Sequence, residues 1–509
     1  MPLLFIICFV IYLPSLGNSF VFDDIAVIVN NPFIKSLKFL PNIFTHNLYY
    51  HLIANTPGSF MYRPLQAFTY AIDYKVWGLN PFGFHLVNVI LHFINGLLVY
   101  YFLLLLFQDN KISLFSSILF LIHPIQASAV AYISGRADLL SFLFMILSAA
   151  TFLKFIQARF IKLYFFSLLC AACALLSREN ALSIFMLIAL IIFVQKQKVA
   201  TYLLLIPFIL LNLFYLLLRL FIFGYNGLAV PGHHLSFMLR AINFLNIIPR
   251  YILLLLFPHS LRMFHVTPFV ENIFWVPLIF ILLCILTAIR FRNNRLVIFS
   301  LLWFIITIVP VFFCLDGFLH FGGAMMAENW AYPAILGFSA LLFYLLSLFK
   351  KYGRPTMIFL VILLGISTII NNKYWNNEIN LYKRILEFCA ERNILRANLI
   401  DAYLRSGQSA EALKQIKELE KFYPESPLLY LSWGDYFFYT GNPEAALKYY
   451  NRILIKSFLT SHKVSSCYMR LGQFDKAMGF ALASYRSNPY FEPNCVQLEE
   501  LKIKCKMKK

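Results

Sequence analysis

Residues able to move a proton or hold a phosphate stand in a few short clusters of this 509-residue chain. The first is Phe20-Val-Phe-Asp23-Asp24, just after an apolar N-terminal run. Of two adjacent carboxylates, one can take a proton from an incoming hydroxyl while the other orients it, holds a metal, or adjusts its neighbour's pKa. An aspartate that opens a loop and caps a short helix has the same sequence signature. Arg63, in Tyr62-Arg63-Pro64-Leu65, sits beside a proline in a rigid turn. Its fork suits a phosphate through two donors, or equally the anchoring of a loop to headgroups. Three further clusters separate apolar runs: His123-Pro124 through Tyr132-Ile-Ser134-Gly135-Arg136-Ala-Asp138, Ser177-Arg178-Glu179-Asn180, and Met326-Ala-Glu328-Asn329-Trp330-Ala-Tyr332-Pro333. Polar groups so placed need hydrogen-bond partners or a water-filled cavity. Taken singly, Arg136 with Asp138 and Arg178 with Glu179 read as ion pairs at span ends. His85, His92, His233, His234, His259 and His265 show no zinc-binding spacing, so no metal site is expected from them.

The elements that must position these residues follow from composition. The chain is 61% hydrophobic and 13% charged, against about 45–50% and 25% for soluble domains, which excludes a soluble protein. Windows of about 20 apolar residues recur up to about residue 370, as helical spans require. They are continuous rather than alternating, which excludes a β-barrel. Candidate spans are 3–17, 85–107, 113–131, 138–156, 160–176, 180–194, 200–222, 273–289, 296–315, 329–349 and 355–370. The basic clusters Lys154/Arg159/Lys162, Lys196/Lys198, Arg290/Arg292/Arg295 and Lys350/Lys351/Arg354 all face the cytoplasm if the N-terminus is inside and the C-terminus outside. That topology requires 236–257, which carries Arg240, Pro249 and Arg250, to be a re-entrant or interfacial helix on the outer side. The first apolar run lacks a basic leader and a clear cleavage site, and reads as a retained span. Cys170 and Cys173 form a C-x-x-C inside a span, where helix packing is the expected role.

The same topology puts eight of the nine acidic residues before 370 on the outer side: Asp23, Asp24, Asp73, Asp138, Glu179, Glu271, Asp316 and Glu328, with Asp109 the exception. This gathering points to a polar cavity opening outward; the alternative is that basic inner loops leave acids there by default. The net charge of +20 is scattered among short loops, so no nucleic-acid partner is expected.

After residue 370 the polarity changes, and 14 of the 23 acidic residues fall there. LRSGQSAEALKQI (404–416), YTGNPEAALKYY (439–450) and RLGQFDKAMGFA (470–481) align with one another. Gly407, Gly441 and Gly472 lie 34 and 31 residues apart, as do Ala412, Ala446 and Ala477. This is the tetratricopeptide period, and about three repeats suffice to bury a shared core. The expected fold class is therefore all-α: a polytopic membrane bundle of about 11 spans followed by a repeat solenoid. Its parts are a membrane domain over 1–370 with a first outer loop at about 18–84, a linker helix at 371–392, repeats over 393–490 and a basic tail at 491–509.

Phe22-Asp23-Asp24 with Asn31-Pro32, Tyr62-Arg63-Pro64-Leu65, and Asn80-Pro-Phe-Gly-Phe-His85-Leu-Val-Asn88 with His92 resemble the opening of the transmembrane and tetratricopeptide-repeat glycosyltransferases. That family is a branch of the C-type, polyprenyl-phosphate-sugar-dependent superfamily. The His123–Asp138 segment is similar to its most specific stretch, Ser177-Arg178-Glu179 to its Ser-Lys-Glu motif, and Glu328-Asn329-Trp330-Ala-Tyr332-Pro333 to its Glu-Arg-x-x-Tyr-x-Pro segment, with Asn329 replacing the arginine. The array here is shorter than in animal members. The resemblance implies transfer of a monosaccharide, mannose-like, from a polyprenyl-phosphate donor to a hydroxyl acceptor such as protein Ser or Thr. Transfer would take place on the extracytoplasmic side with inversion. Asp23 or Asp24 would be the base, and Arg63, His85, Arg136, Asp138, Arg178, Glu179 and Glu328 would line the donor-phosphate cavity. The partners implied are membrane lipid, the lipid-linked sugar as donor substrate, and an acceptor polypeptide or partner protein on the repeats. No cofactor is implied for certain, and divalent-metal dependence stays open. A lipid-linked glycan polymerase or ligase, and a non-enzymatic repeat scaffold, are the competing readings. Richness in Phe, Ile, Lys and Asn favours a bacterial inner membrane over the endoplasmic reticulum.

Overall fold

The computed structural model describes residues 2–52, 61–223, 236–267, 275–314, 324–349, 351–389 and 392–507. Glu271, Asp316, His233, His234 and Lys350 lie outside the described residues. The chain is a helical membrane protein. It divides into two compact units: one of residues 2–18, 41–48 and the described chain from 61 to 376, the other of residues 19–40, 49–52 and 377 onward.

The first unit is a helical bundle whose buried faces are polar in places and whose outer faces are apolar, the reverse of a soluble bundle. Helix Pro81–Phe107 shows why. It opens at Asn80, whose side chain accepts the Phe82 amide 3.1 Å away, with Pro81 pre-set for the first turn. His85, Asn88, His92 and Asn95 recur every three or four residues and are all fully buried. Lipid solvates the apolar remainder, so these polar groups must find partners inside. Asn88 donates to the carbonyls of Tyr132 and Ile133, both at 3.2 Å. Asn95 and the His92 ring each hydrogen-bond the Tyr332 hydroxyl, at 3.0 and 2.8 Å. At Gly96 an added Cβ would lie 2.5 Å from the Leu121 side chain, so the neighbouring helix Asn110–Ile122 packs where only glycine fits.

Among the described residues, five helices are long and apolar enough to cross a membrane: Pro81–Phe107, Ile133–Ala158, Val199–Ile222, Phe237–Leu256 and Gly353–Trp375. Shorter apolar helices are Pro2–Gly17, Ile161–Ser177, Glu179–Val194, Arg295–Ile308 and Ile335–Ser347. One expectation needs correction. The run at 113–131 is not one straight helix: it stops at Ile122 and bends by 51° into Pro124–Val130. Proline forces the residue before it out of the helical region, and His123 is extended, with ψ 130°. Helix Gly353–Asn372 braces the break: Thr368 donates to the Ile122 carbonyl, and Asn371 to the Pro124 carbonyl, which also accepts the Ala127 amide. Segment 236–257, expected to be re-entrant or interfacial, is one continuous 20-residue helix, Phe237–Leu256, with Pro249 inside it. A short antiparallel ribbon pairs Phe264–Thr267 with Ala324–Ala327, setting Phe264 opposite Ala327.

The second unit holds three helical hairpins: Asn393–Arg405 with Ser409–Phe422, Pro427–Tyr439 with Pro443–Asn451, and Phe458–Arg470 with Phe474–Ser487. Gly407, Gly441 and Gly472 end the first helix of each hairpin at φ 77°, 87° and 72°. Those left-handed values explain why glycine marks the period. Gly434 lets two helices meet, since a Cβ there would fall 2.3 Å from the Tyr450 ring. The Tyr450 hydroxyl donates to Asp435, 2.6 Å away, and Lys463 pairs with the other oxygen at 2.7 Å. Most of the segment expected as a basic tail, 491–509, is the helix Glu492–Met507. Its Leu498 and Leu501 pack on Ala477 and Ala481 and close the end of the array.

Candidate functional site

The Asp23–Asp24 turn belongs to the second unit. Phe22 adopts φ 52°, a left-handed conformation costly for a bulky residue. Asp24 is fully buried, and its Oδ2 accepts the Val21 amide at 3.1 Å. It precedes the short wide helix Ile25–Val29, and its side chain makes no cap to that helix but ties back to Val21. Asp23 is half-buried. The charge of Asp23 acts on Tyr382, whose phenol is raised first by burial, then by Glu378, with Asp23 adding to the rise. Asn31 caps the next turn by accepting the Phe33 amide at 2.9 Å.

His51 closes this turn from outside, its Nε2 donating to the Ala26 carbonyl at 2.8 Å. Burial pushes the ring's pKa down from 6.5 to about 4. The neutral ring is thus the folded form, whereas the unfolded chain takes up a proton near pH 6.5. Its contribution is full above that pH, falls as pH drops toward about 4, and levels off below, a loss of roughly 3 kcal/mol. Hydrogen exchange across residues 19–52, corrected for intrinsic rate, is expected to show protection falling between pH 6.5 and 4. Protection unchanged over that range would refute the assignment.

In the first unit the expected residues form a seam of ion pairs, but not with the expected partners. Arg136 pairs with Asp73 rather than Asp138, Nη1 to Oδ2 at 2.5 Å. Its Nε donates to Asn88 at 2.8 Å and its Nη2 to the Phe84 carbonyl at 2.8 Å, while the guanidinium lies 4.7 Å over the Tyr70 ring. Arg136 is fully buried, so it ties helix Pro64–Trp77 to helix Pro81–Phe107. Arg178 pairs with Asp138 rather than with Glu179. Glu179 instead accepts Nε and Nη2 of Arg63 on one oxygen, at 3.1 and 3.0 Å. Asn329, in the position where the resembled family has arginine, donates to Asp138 Oδ2 at 2.7 Å. Its neighbour Glu328 is buried and accepts from His265 Nε2 at 2.8 Å and from the Arg262 amide. The sequence of contacts is therefore Arg63–Glu179, then Arg178–Asp138–Asn329, then Glu328–His265, linked by adjacent residues in the chain. His85 is buried at the start of its helix, one turn before Asn88.

Two buried oxygens in this seam, Asp138 Oδ1 and Glu179 Oε1, have no hydrogen-bond partner among the described residues. Buried acceptors of this kind suit hydroxyl donors, and they stand beside two arginines. No group of three or more metal-ligating side chains occurs among the described residues. Residue types alone did not single out Asp73, Asn88 or His265 for these roles. The three- and four-residue spacing of His85, Asn88, His92 and Asn95 was a usable signal for Asn88. Asp73 and His265 are 63 residues from their partners Arg136 and Glu328, and nothing local marks them.

No protein-family model matches the chain. It is 28% identical over 425 residues to protein O-mannosyl-transferase F38B6.6 of Caenorhabditis elegans, across 79% of this chain and 60% of that protein. Over shorter stretches the chain is also similar to TMTC protein O-mannosyl-transferases. Human TMTC1 is 33% identical over 186 residues, 34% of this chain and 21% of that protein. Human TMTC4 is 34% identical over 163 residues, 29% of this chain and 22% of that protein. The chain thus spans well under two thirds of these TMTC relatives. A loose likeness links the fold to ArnT from Cupriavidus metallidurans bound to undecaprenyl phosphate. Its TM-score is 0.45 at 12% identity, over 94% of this chain and 79% of that one.

Proposed function

We propose that this TMTC relative is a multi-pass membrane glycosyltransferase that moves a monosaccharide from a polyprenyl-phosphate donor to a protein hydroxyl. The observation that carries the reading is the pair of unpartnered buried oxygens, Asp138 Oδ1 and Glu179 Oε1, beside Arg178 and Arg63. Acceptors for sugar hydroxyls next to donors for a phosphate are what a sugar phosphate needs. The names of the relatives supply mannose and protein as sugar and acceptor. In the reaction, the acceptor oxygen attacks the anomeric carbon and the carbon–oxygen bond to phosphate breaks. The phosphate leaves with its charge, and the hydroxyl proton passes to a carboxylate. We assign that base to Asp23, half-buried, rather than to Asp24, which is buried and tied to the Val21 amide. Arg63 and Arg178 carry the phosphate charge, an effect that desolvation magnifies. Arg136 is left out, because all of its nitrogens are engaged in the interior. Glu328 and His265 support the wall that holds Asn329. Net inversion follows from a single displacement. We place the protein in a bacterial inner membrane with the transfer outside the cytoplasm.

Mass spectrometry of glycopeptides from cells with and without the gene tests this reading. Hexose on Ser or Thr that disappears with the protein is the expected result. Unchanged glycopeptides together with unchanged lipid-linked sugar pools would overturn it.

A further inference from the structure

The loop that carries Asp23 and the repeat array form one compact unit, and the contacts between them join the array's two ends. At the near end the Phe22 ring meets Tyr382, on helix Glu378–Leu386, edge-on at 6.3 Å. At the far end the Phe33 ring meets Tyr490 edge-on at 5.4 Å and stacks on Tyr50 at 6.2 Å. Beside them, Lys35 Nζ lies 2.6 Å from Glu492 Oε2, at the start of the closing helix. Phe22 and Phe33 are 11 residues apart, so one short strap runs from helix Glu378–Leu386, ahead of the first hairpin, to the loop and helix after the third. Phe22 is also the residue in the left-handed conformation. Such a conformation persists only where its surroundings over-determine it, and the ring contact to Tyr382 is one such constraint.

We propose that the repeat array acts within its own chain, as a clamp that fixes the Asp23–Asp24 turn by gripping residues 22–35. Repeat arrays commonly hold an extended segment of another protein; here the segment is the loop bearing the proposed base. The proposal rests on the assignment of Asp23 as that base. It makes Phe22, Phe33, Tyr382 and Tyr490 positioning residues, distant in sequence from any group that touches substrate.

The test uses the full chain in its membrane and a zero-length carbodiimide, which joins an amine to a carboxylate already in contact. A Lys35–Glu492 isopeptide, found by mass spectrometry of the digest, is the expected product. Phe33→Ala should remove the cross-link and lower kcat at least about tenfold, with the donor KM within about twofold, because displacing a base acts on the chemical step. A folding defect in that variant is separated out by charge reversal. Lys35→Glu and Glu492→Lys should each lower kcat about two- to fivefold, as an exposed pair allows, and the double variant should recover it. A wild type without the cross-link, a Phe33→Ala protein that loses it yet keeps its kcat, or a double reversal no better than the singles overturns the clamp. A cross-link present in a protein that transfers no sugar supports the clamp and removes the transferase reading.

Discussion

Asp23→Asn is expected to lower sugar transfer by about 10²–10⁴-fold, the usual worth of a positioned general base. The measurement is mass-detected transfer from polyprenyl-phosphate mannose to an acceptor peptide in membranes. Donor binding should survive, since the phosphate contacts assigned to Arg63 and Arg178 do not involve this side chain. Asp24→Asn serves as the internal contrast. The remaining amide oxygen can take over the Val21 amide, which Oδ2 of the aspartate accepts at 3.1 Å, so the loss should stay within about tenfold. An Asp23→Asn protein as active as wild type would end the assignment, and the opposite ranking would move the base to Asp24.

Arg136→Ala is expected to cost about 3–5 kcal/mol of stability, the scale of breaking one partner out of a buried ion pair. Asp73 would keep a buried charge without its cation, and the Asn88 side chain and Phe84 carbonyl would each lose a donor. The readout is thermal unfolding in detergent. Joint replacement, Arg136→Met with Asp73→Leu, should regain most of the loss, because removing both charges removes the desolvation cost as well. A single variant that costs under about 1 kcal/mol would show that the pair is dispensable. A paired variant as unstable as the single one would place the cost in packing rather than charge.

How far the sequence could be read depends on whether the cause of a feature is local. The three glycines of the repeats were readable because a left-handed turn has a single-residue signature, and each occupies one. The helices of the membrane domain were readable because lipid demands continuous apolar runs. The break at His123–Pro124 was missed although its cause is local, because the apolar run on either side outweighed one proline. The ion pairs were misassigned for a different reason. Neighbouring opposite charges, Arg136 with Asp138 and Arg178 with Glu179, suggest pairing in a linear text. Arg136 and Asp138, two apart on one helix, point about 160° away from each other at ~100° per residue, and Arg178 is extended, so its side chain leaves the chain away from that of Glu179. Arg136 therefore reaches across to Asp73, and Arg178 to Asp138, through packing that no spacing rule encodes. After 490 the charge pattern alone did not reveal the helix Glu492–Met507, whose buried Leu498 and Leu501 hold it in place.

The break at Pro124 has a bearing on biosynthesis. Carbonyls of Ile122 and Pro124 are answered by Thr368 and Asn371, nearly 250 residues later in the chain. A ribosome makes the gap long before it makes the stopper. Until helix Gly353–Asn372 is in place, the Ile122 carbonyl at the break lacks its Thr368 donor, and a buried carbonyl without a donor is costly. Nascent chains halted before residue 353 should remain with the insertion machinery or be cleared by membrane proteases.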